Sequence, residues 1–416
     1  MPAGPLIRWR DDTIRLLIFL LLPASVLASR TGGIVFWLLA LLGLACLASD
    51  LLSGRRSNGQ AGRRSEALGW PQSRWLWGAA LLPVLLNVSS VLWFDLPARE
   101  IGWWAFLMAP AIAAVAIRVP DSATWLLRGA LFACFVALAA AAYSRFVLRE
   151  VQPTFVMNPL PFGLVGFVAA TLSAWAVAIA PRGSWLRWLF VAAVVSGAMA
   201  YVASGIRGGL LALPLFVAAF AHWGEPRSVR ARVPWVGAAV LVAVIGSTAF
   251  VFQPRNAMTS KLERIGVEVE DFAQGRTQFS NVGERLAMWR ASVEMVKAHP
   301  LFGIGSHQFA NASRELRDKG LYPTDAHIYR HAHSAYVTVA AEYGLMGLLA
   351  MAAAIFCAIR AVAGADPHYR TPGFALLGIW LLFGITNDVL SHQLIIRSMI
   401  AAIVILVFCR PGRAVG

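Results

Sequence analysis

Apolar residues along this chain come in long unbroken runs, not in the two- or three-to-four-residue spacing of half-buried soluble elements. The runs lie near residues 14–29, 32–49, 75–94, 101–117, 124–144, 158–180, 188–204, 209–223, 234–252, 334–359, 372–387 and 396–409. A helix needs roughly 17 to 25 apolar residues to cross a bilayer, so the pattern predicts an all-α polytopic transmembrane helical bundle of about twelve spans. The first run follows Arg8 and Arg10, contains Arg15 and leads directly into the second, so it reads as a span and not as a cleavable leader. One polar gap, 253–332, is far longer than the rest. The predicted division is therefore 1–252 for spans one to nine, 253–332 for a large external loop, and 333–416 for spans ten to twelve.

A gap of roughly 80 residues predicts elements of its own. Gly283 to His299 fits an amphipathic helix, with Leu286, Trp289, Val293 and Val296 as its apolar stripe and Arg285, Arg290, Glu294 and Lys297 largely off it. Ser280 or Asn281 supplies a cap and Pro300 a stop. Two placements fit that helix: on the membrane surface or over the bundle, and against a small core belonging to the loop itself. The following His299-Pro300-Leu301-Phe302-Gly303-Ile304-Gly305 predicts a tight turn whose glycines let the backbone approach another group closely. A polar stretch, 311–330, then leads to His331-Ala332-His333-Ser334 and the tenth span.

Composition and charge refine this picture. The chain is 58% hydrophobic and only 14% charged, against about 25% charged in soluble domains. Its net charge of +15 is concentrated in short gaps: Arg55, Arg56, Arg63, Arg64 and Arg74; Arg182 and Arg187; Arg227, Arg230 and Arg232; Arg360 and Arg370. These gaps alternate with nearly uncharged ones, which is how cytoplasmic loops are marked, so both termini are expected inside and no nucleic-acid partner is expected. Cys46, Cys134, Cys357 and Cys409 lie apart within apolar runs and predict neither a disulfide nor a metal site.

Candidate chemistry collects on the outer face. Arg207, flanked by Gly205, Gly208 and Gly209 between two spans, suits an anion site made of a guanidinium and exposed N–H groups. An arginine that snorkels to lipid head groups is the plain alternative, although its outer position favours a function. Arg285, in the first turn of the loop helix, is by itself an ordinary surface charge. His331 and His333 stand at the mouth of span ten, where an imidazole can act as a general base. If that segment is helical, only one of them enters a site, and His333 is the better placed. Asp388, beside Asn387 at the end of span eleven, suits orienting a histidine, pairing an arginine or capping a helix. Glu268, Glu270 and Asp271 read as a solvated acidic patch, and no metal or cofactor is expected. Two cations and a base suit transfer from a phosphate-activated donor to a hydroxyl, with a donor that arrives attached to lipid.

Taken together, Ser204-Gly205-Ile206-Arg207-Gly208-Gly209, Gly283-Glu284-Arg285-Leu286-Ala287-Met288-Trp289, the His299 to Gly305 turn and His331-Ala332-His333-Ser334 resemble the O-antigen ligase family. The resemblance is carried by 204–347, and its order and spacing give it specificity. It implies a GT-C-like enzyme of the bacterial inner membrane that moves a glycan from undecaprenyl pyrophosphate to lipid A-core at the periplasmic face, inverting and without metal. Arg207 and Arg285 would then hold the pyrophosphate, with Gly208, His331 and Asp388 in the substrate site, and His333 would deprotonate the acceptor. Ile206 and Ser334 depart from the family pattern, where Ser precedes the arginine and Asn follows the histidine. An O-antigen polymerase, a protein O-oligosaccharyltransferase and, from another class, a transporter are the competing readings. Few intramembrane ionisable residues, chiefly Arg128 and Glu342, argue against transport.

Overall fold

A computed structural model of the chain describes residues 5–54, 71–150, 154–155, 157–181, 183–206, 281–324 and 326–409. Arg207, Gly208, the acidic residues Glu268, Glu270 and Asp271, and the runs near 209–223 and 234–252 lie outside the described residues.

The described residues are helical wherever they are regular. Helices α1 (Pro5–Leu27), α2 (Ser29–Gly54) and α3 (Pro71–Trp93) lead to a 3-10 turn at Trp104–Met108, which runs into α4 (Ala109–Arg118). Then come α5 (Ser122–Phe146), α6 (Pro159–Ile179), α7 (Trp185–Ala203), α8 (Asn281–Ala298), α9 (Phe309–Asp318), α10 (Ala335–Ala363), α11 (Pro367–Thr386) and α12 (Gln393–Phe408). Among the described residues six helices are long and apolar enough to span: Ser29–Ser49, Ser73–Trp93, Ser122–Phe146, Pro159–Ile179, Trp185–Ala203 and Ala335–Ala363. The expected run at 101–117 is only partly an α-helix. Trp103 takes a left-handed φ of 61°, and the chain tightens through the 3-10 turn before α4 begins.

The spanning window of α6 is 89% buried and that of α10 only 17%, so α6 is the bundle's axis and α10 its flank. The loop ends sort into two sets. At one, Ser398 Oγ reaches Ser25 Oγ at 3.2 Å, Trp103 Nε1 donates to Leu390 O at 3.0 Å, and Ala335 N donates to Asn387 O at 3.2 Å. At the other, Arg15 Nε meets Asp121 Oδ1 at 3.1 Å and Cys409 Sγ meets Pro120 O at 3.6 Å. These contacts group the described helix ends into two sets.

Helix α8 exists within a residue or two of its expected bounds, but its buried face is not the expected one. Ala287, Met288, Ala291 and Met295 pack with Phe309, Tyr322, Ala326, Ala332 and Ala341 in a small separate core, whereas Val293 is 52% exposed. Alanines and methionines form the buried face where α8 packs on α10, while Trp289 and Val293 are left exposed. The two placements open in the sequence are combined: α8 lies over α10 of the bundle, and its buried face shares a small core with Phe309, Tyr322 and Ala326 of the loop.

The most consequential local feature is a break in α10. Gly344 has φ 61° and ψ −152°, a conformation essentially confined to glycine. Across the break the segment after α8 supplies the missing partners. Ile304 N donates to Ala341 O at 3.0 Å and Gly305 N to Glu342 O at 2.9 Å, while Leu345 N donates to Pro300 O at 2.9 Å and Met346 N to Leu301 O at 3.1 Å. A Cβ on Gly303 would lie 2.4 Å from the backbone of Glu342 and Tyr343, and one on Gly344 2.6 Å from that of Leu301. The close approach expected of the His299 to Gly305 turn is therefore made to α10. Backbone that leaves the helix at membrane depth must find partners inside the protein, and this strap provides them. Ser306 continues the attachment, taking a hydrogen bond from Asn87 Nδ2 at 2.7 Å and giving its N–H to Ser90 Oγ at 3.0 Å.

Candidate functional site

His331 and His333 precede α10, which begins after Ser334 caps it. The segment is not helical, so the rule that i and i+2 diverge does not apply, and the two imidazoles meet at 4.6 Å between centroids. His333 sits at a left-handed φ of 52°, uncommon for a side chain of this size. Its N–H donates to His331 Nδ1 at 3.3 Å. With Nδ1 accepting, neutral His331 carries its proton on Nε2.

Neighbouring elements hold this turn. Trp289 Nε1 of α8 donates to Ala332 O at 3.0 Å, Ala332 N donates to Thr338 Oγ1 of α10 at 3.1 Å, and Ala335 N reaches Asn387 O beyond α11. The Tyr329 ring lies 4.8 Å from that of His333, and its hydroxyl donates to Glu284 Oε2 at 2.6 Å. Burial and then the Glu284 carboxylate push that hydroxyl up to about 12.

Burial first, and then the charges of His331, Arg285 and His392 in that order, together lower His333 to about 4. The imidazole is thus neutral and able to accept a proton at physiological pH. His331 and His392 are also lowered by burial, and both are drawn back up by Asp388. Asp388 is buried, accepting from Ser391 Oγ at 2.6 Å and Leu390 N at 3.2 Å. It therefore caps its own turn and faces two imidazoles as well.

Of the residues singled out in the sequence, Arg285, His331, His333 and Asp388 come together here; Arg207 and Gly208 lie outside the described residues. His392, Tyr329 and Glu284 were not anticipated. His392 had a legible signal, standing just before the last apolar run on the same side as His331, and its ring is 6.4 Å away. Glu342 of α10, flagged as an intramembrane carboxylate, accepts the backbone N–H groups of His307 and Phe309 and so fastens the start of α9. Among the described residues no three His, Cys, Asp or Glu side chains are grouped as metal ligands would be.

Beside this cluster an apolar cavity of about 150 Å³ runs between α3, α10, α11, α12 and the 3-10 turn. Trp103, Ala335, Tyr336 and Leu390 line it near the histidines, and Ala361 and Val407 line it toward the opposite helix ends. A guanidinium, a neutral imidazole and an apolar channel in one place can receive an anion with a long hydrocarbon tail and take a proton from a second molecule.

Residues 191–352 match the family described as O-antigen ligase, a span that contains α8, α9, the strap, both histidines and the break in α10. An uncharacterized protein of Haemophilus influenzae is 21% identical over 160 residues, covering 38% of this chain. The match takes in 39% of that relative's own length.

Proposed function

We propose, from the premise that residues 191–352 match the O-antigen ligase family, that the protein is a multi-pass membrane glycosyltransferase acting on a lipid-linked glycan. The donor is a glycan on undecaprenyl pyrophosphate and the acceptor a hydroxyl of lipid A-core. The reaction takes place at the periplasmic face of the inner membrane, within a GT-C-like bundle. One observation carries the reading: the neutral imidazole of His333, within reach of the Arg285 charge, stands at the end of an apolar cavity that extends from Ala335 toward Ala361.

In this reading the part of the polyprenyl tail nearest the pyrophosphate enters that cavity, whose walls are almost wholly apolar. Its pyrophosphate meets Arg285 and, from the sequence motif, Arg207 and the N–H of Gly208. The acceptor oxygen attacks C1 from the face opposite the phosphate. The new O–C1 bond forms as the C1–O bond to phosphorus breaks, the acceptor proton passes to His333, and the leaving pyrophosphate keeps its electron pair against the arginines. His331 and Asp388 line the substrate side and maintain the turn that aims His333.

The test is transfer by purified protein supplied with lipid-linked glycan and lipid A-core. His333→Ala is expected to lower transfer by roughly 10²- to 10⁴-fold while leaving donor retention near wild type. Normal transfer by that variant would end the base assignment. Supplying a second lipid-linked glycan or a serine-containing secreted protein in place of lipid A-core separates ligase from polymerase and from protein O-oligosaccharyltransferase.

A further inference from the structure

Arg397 lies outside the site described above, in the second turn of α12, and nothing in the proposed reaction uses it. Its Nε is buried without a hydrogen-bond partner. The guanidinium stacks over the Trp37 ring of α2 at 5.6 Å. Gly33, one turn before Trp37, makes the room: a Cβ there would sit 2.7 Å from Arg397 Nη1. Among the described residues no carboxylate pairs with Arg397. On the same face of α2, three residues before Gly33, stands the exposed Arg30. The notch therefore has two cations, an aromatic floor and a glycine gap, where α12 meets the α1–α2 turn.

That turn belongs to the histidine end of the bundle, since Ser398, next to Arg397, bonds Ser25. The charge pattern marks the opposite end as cytoplasmic, so these two arginines oppose the usual bias and need an anionic partner on the outer side. A half-buried guanidinium near a helix end matches phosphate oxygens by its forked donors, and its Nε has no hydrogen-bond partner within the protein. We propose that Arg397, Trp37 and Arg30 form a binding notch for the phosphate of a lipid in the outer leaflet. The site is separate from the reacting centre and does not depend on the proposed reaction.

The experiment is native mass spectrometry of the full-length protein in detergent with phosphatidylglycerol, with a lipid A phosphate, with diacylglycerol lacking phosphate, and with inorganic phosphate alone. Arg397→Gln is expected to lower retention of the phosphate-bearing lipids about tenfold, the scale of one lost charge-assisted contact. Arg128→Gln is the control, because Arg128 also covers a tryptophan, Trp125 at 4.8 Å, but is exposed and near the other end. If Arg397→Gln fails to fold, Arg397→Lys and Gly33→Ala replace it, and each is expected to weaken retention. Three results would overturn the proposal: wild-type retention in the Arg397 or Gly33 variants, an equal loss in Arg128→Gln, and equal retention of diacylglycerol. Saturation of the notch by inorganic phosphate at the lipid's concentration would overturn the assignment to a lipid.

Discussion

At the scale of single residues, His333 makes the sharpest demands. Its folded pKa of about 4 lies below the usual 6.5, so the proton-accepting form persists as pH falls from 6.5 toward 4. The acid limb of kcat/KM is therefore expected near pH 4, and a limb at 6.5 or above would contradict this environment for the base. Bound pyrophosphate brings negative charge to the imidazole, so the limb in kcat is expected to move upward. Between 6.5 and 4 the unfolded chain binds a proton at this histidine that the folded chain does not, so stability is lost as pH is lowered through that window. His333→Ala is expected to lower turnover by roughly 10²- to 10⁴-fold, the range of general-base catalysis. Arg285→Ala is expected to weaken donor use, measured as kcat/KM at subsaturating donor, and Arg285→Lys to recover part of it, because charge survives but the planar fork does not. Arg285, His331, His333 and Asp388 were legible as chemically apt types at one membrane face. Tyr329 and Glu284 were not, because their 2.6 Å bond joins residues 45 apart, and no local pattern announces such a pairing.

Among the elements, long apolar runs within the described residues transfer almost directly from sequence to helix, since a helix satisfies its own backbone and lipid permits little else. The failures have physical causes. In α8 the larger apolar residues suggested the buried face, but alanines and methionines form it where the helix packs on α10. At 101–117 an unbroken apolar run concealed a left-handed Trp103 and a 3-10 turn, because hydropathy does not register backbone dihedrals. The strap was foreseen as a close approach without a partner. Gly303→Ala and Gly344→Ala should each destabilise the protein by about 1–3 kcal/mol, since both meet backbone that cannot step aside. Thermal unfolding in detergent would measure the loss. The double variant should cost less than the sum, because the two glycines share one contact.

For the whole molecule, the proposed orientation puts the histidine loops outside and the Arg15, Asp121 and Cys409 ends inside. Impermeant thiol labelling of intact cells, on a background lacking the four native cysteines, is expected to modify Arg149→Cys and spare His368→Cys; the reverse pattern would invert the molecule. Inside that frame the interrupted α10 bears on biogenesis. Residues 300–305, which complete its main-chain ladder, are translated before it, so a translocated strap is already waiting when the later segment enters the bilayer. Coexpressing the protein as two fragments divided between Asp318 and Tyr322 would uncouple that sequence of events, and the C-terminal fragment made alone should be an orphan substrate for membrane proteolysis.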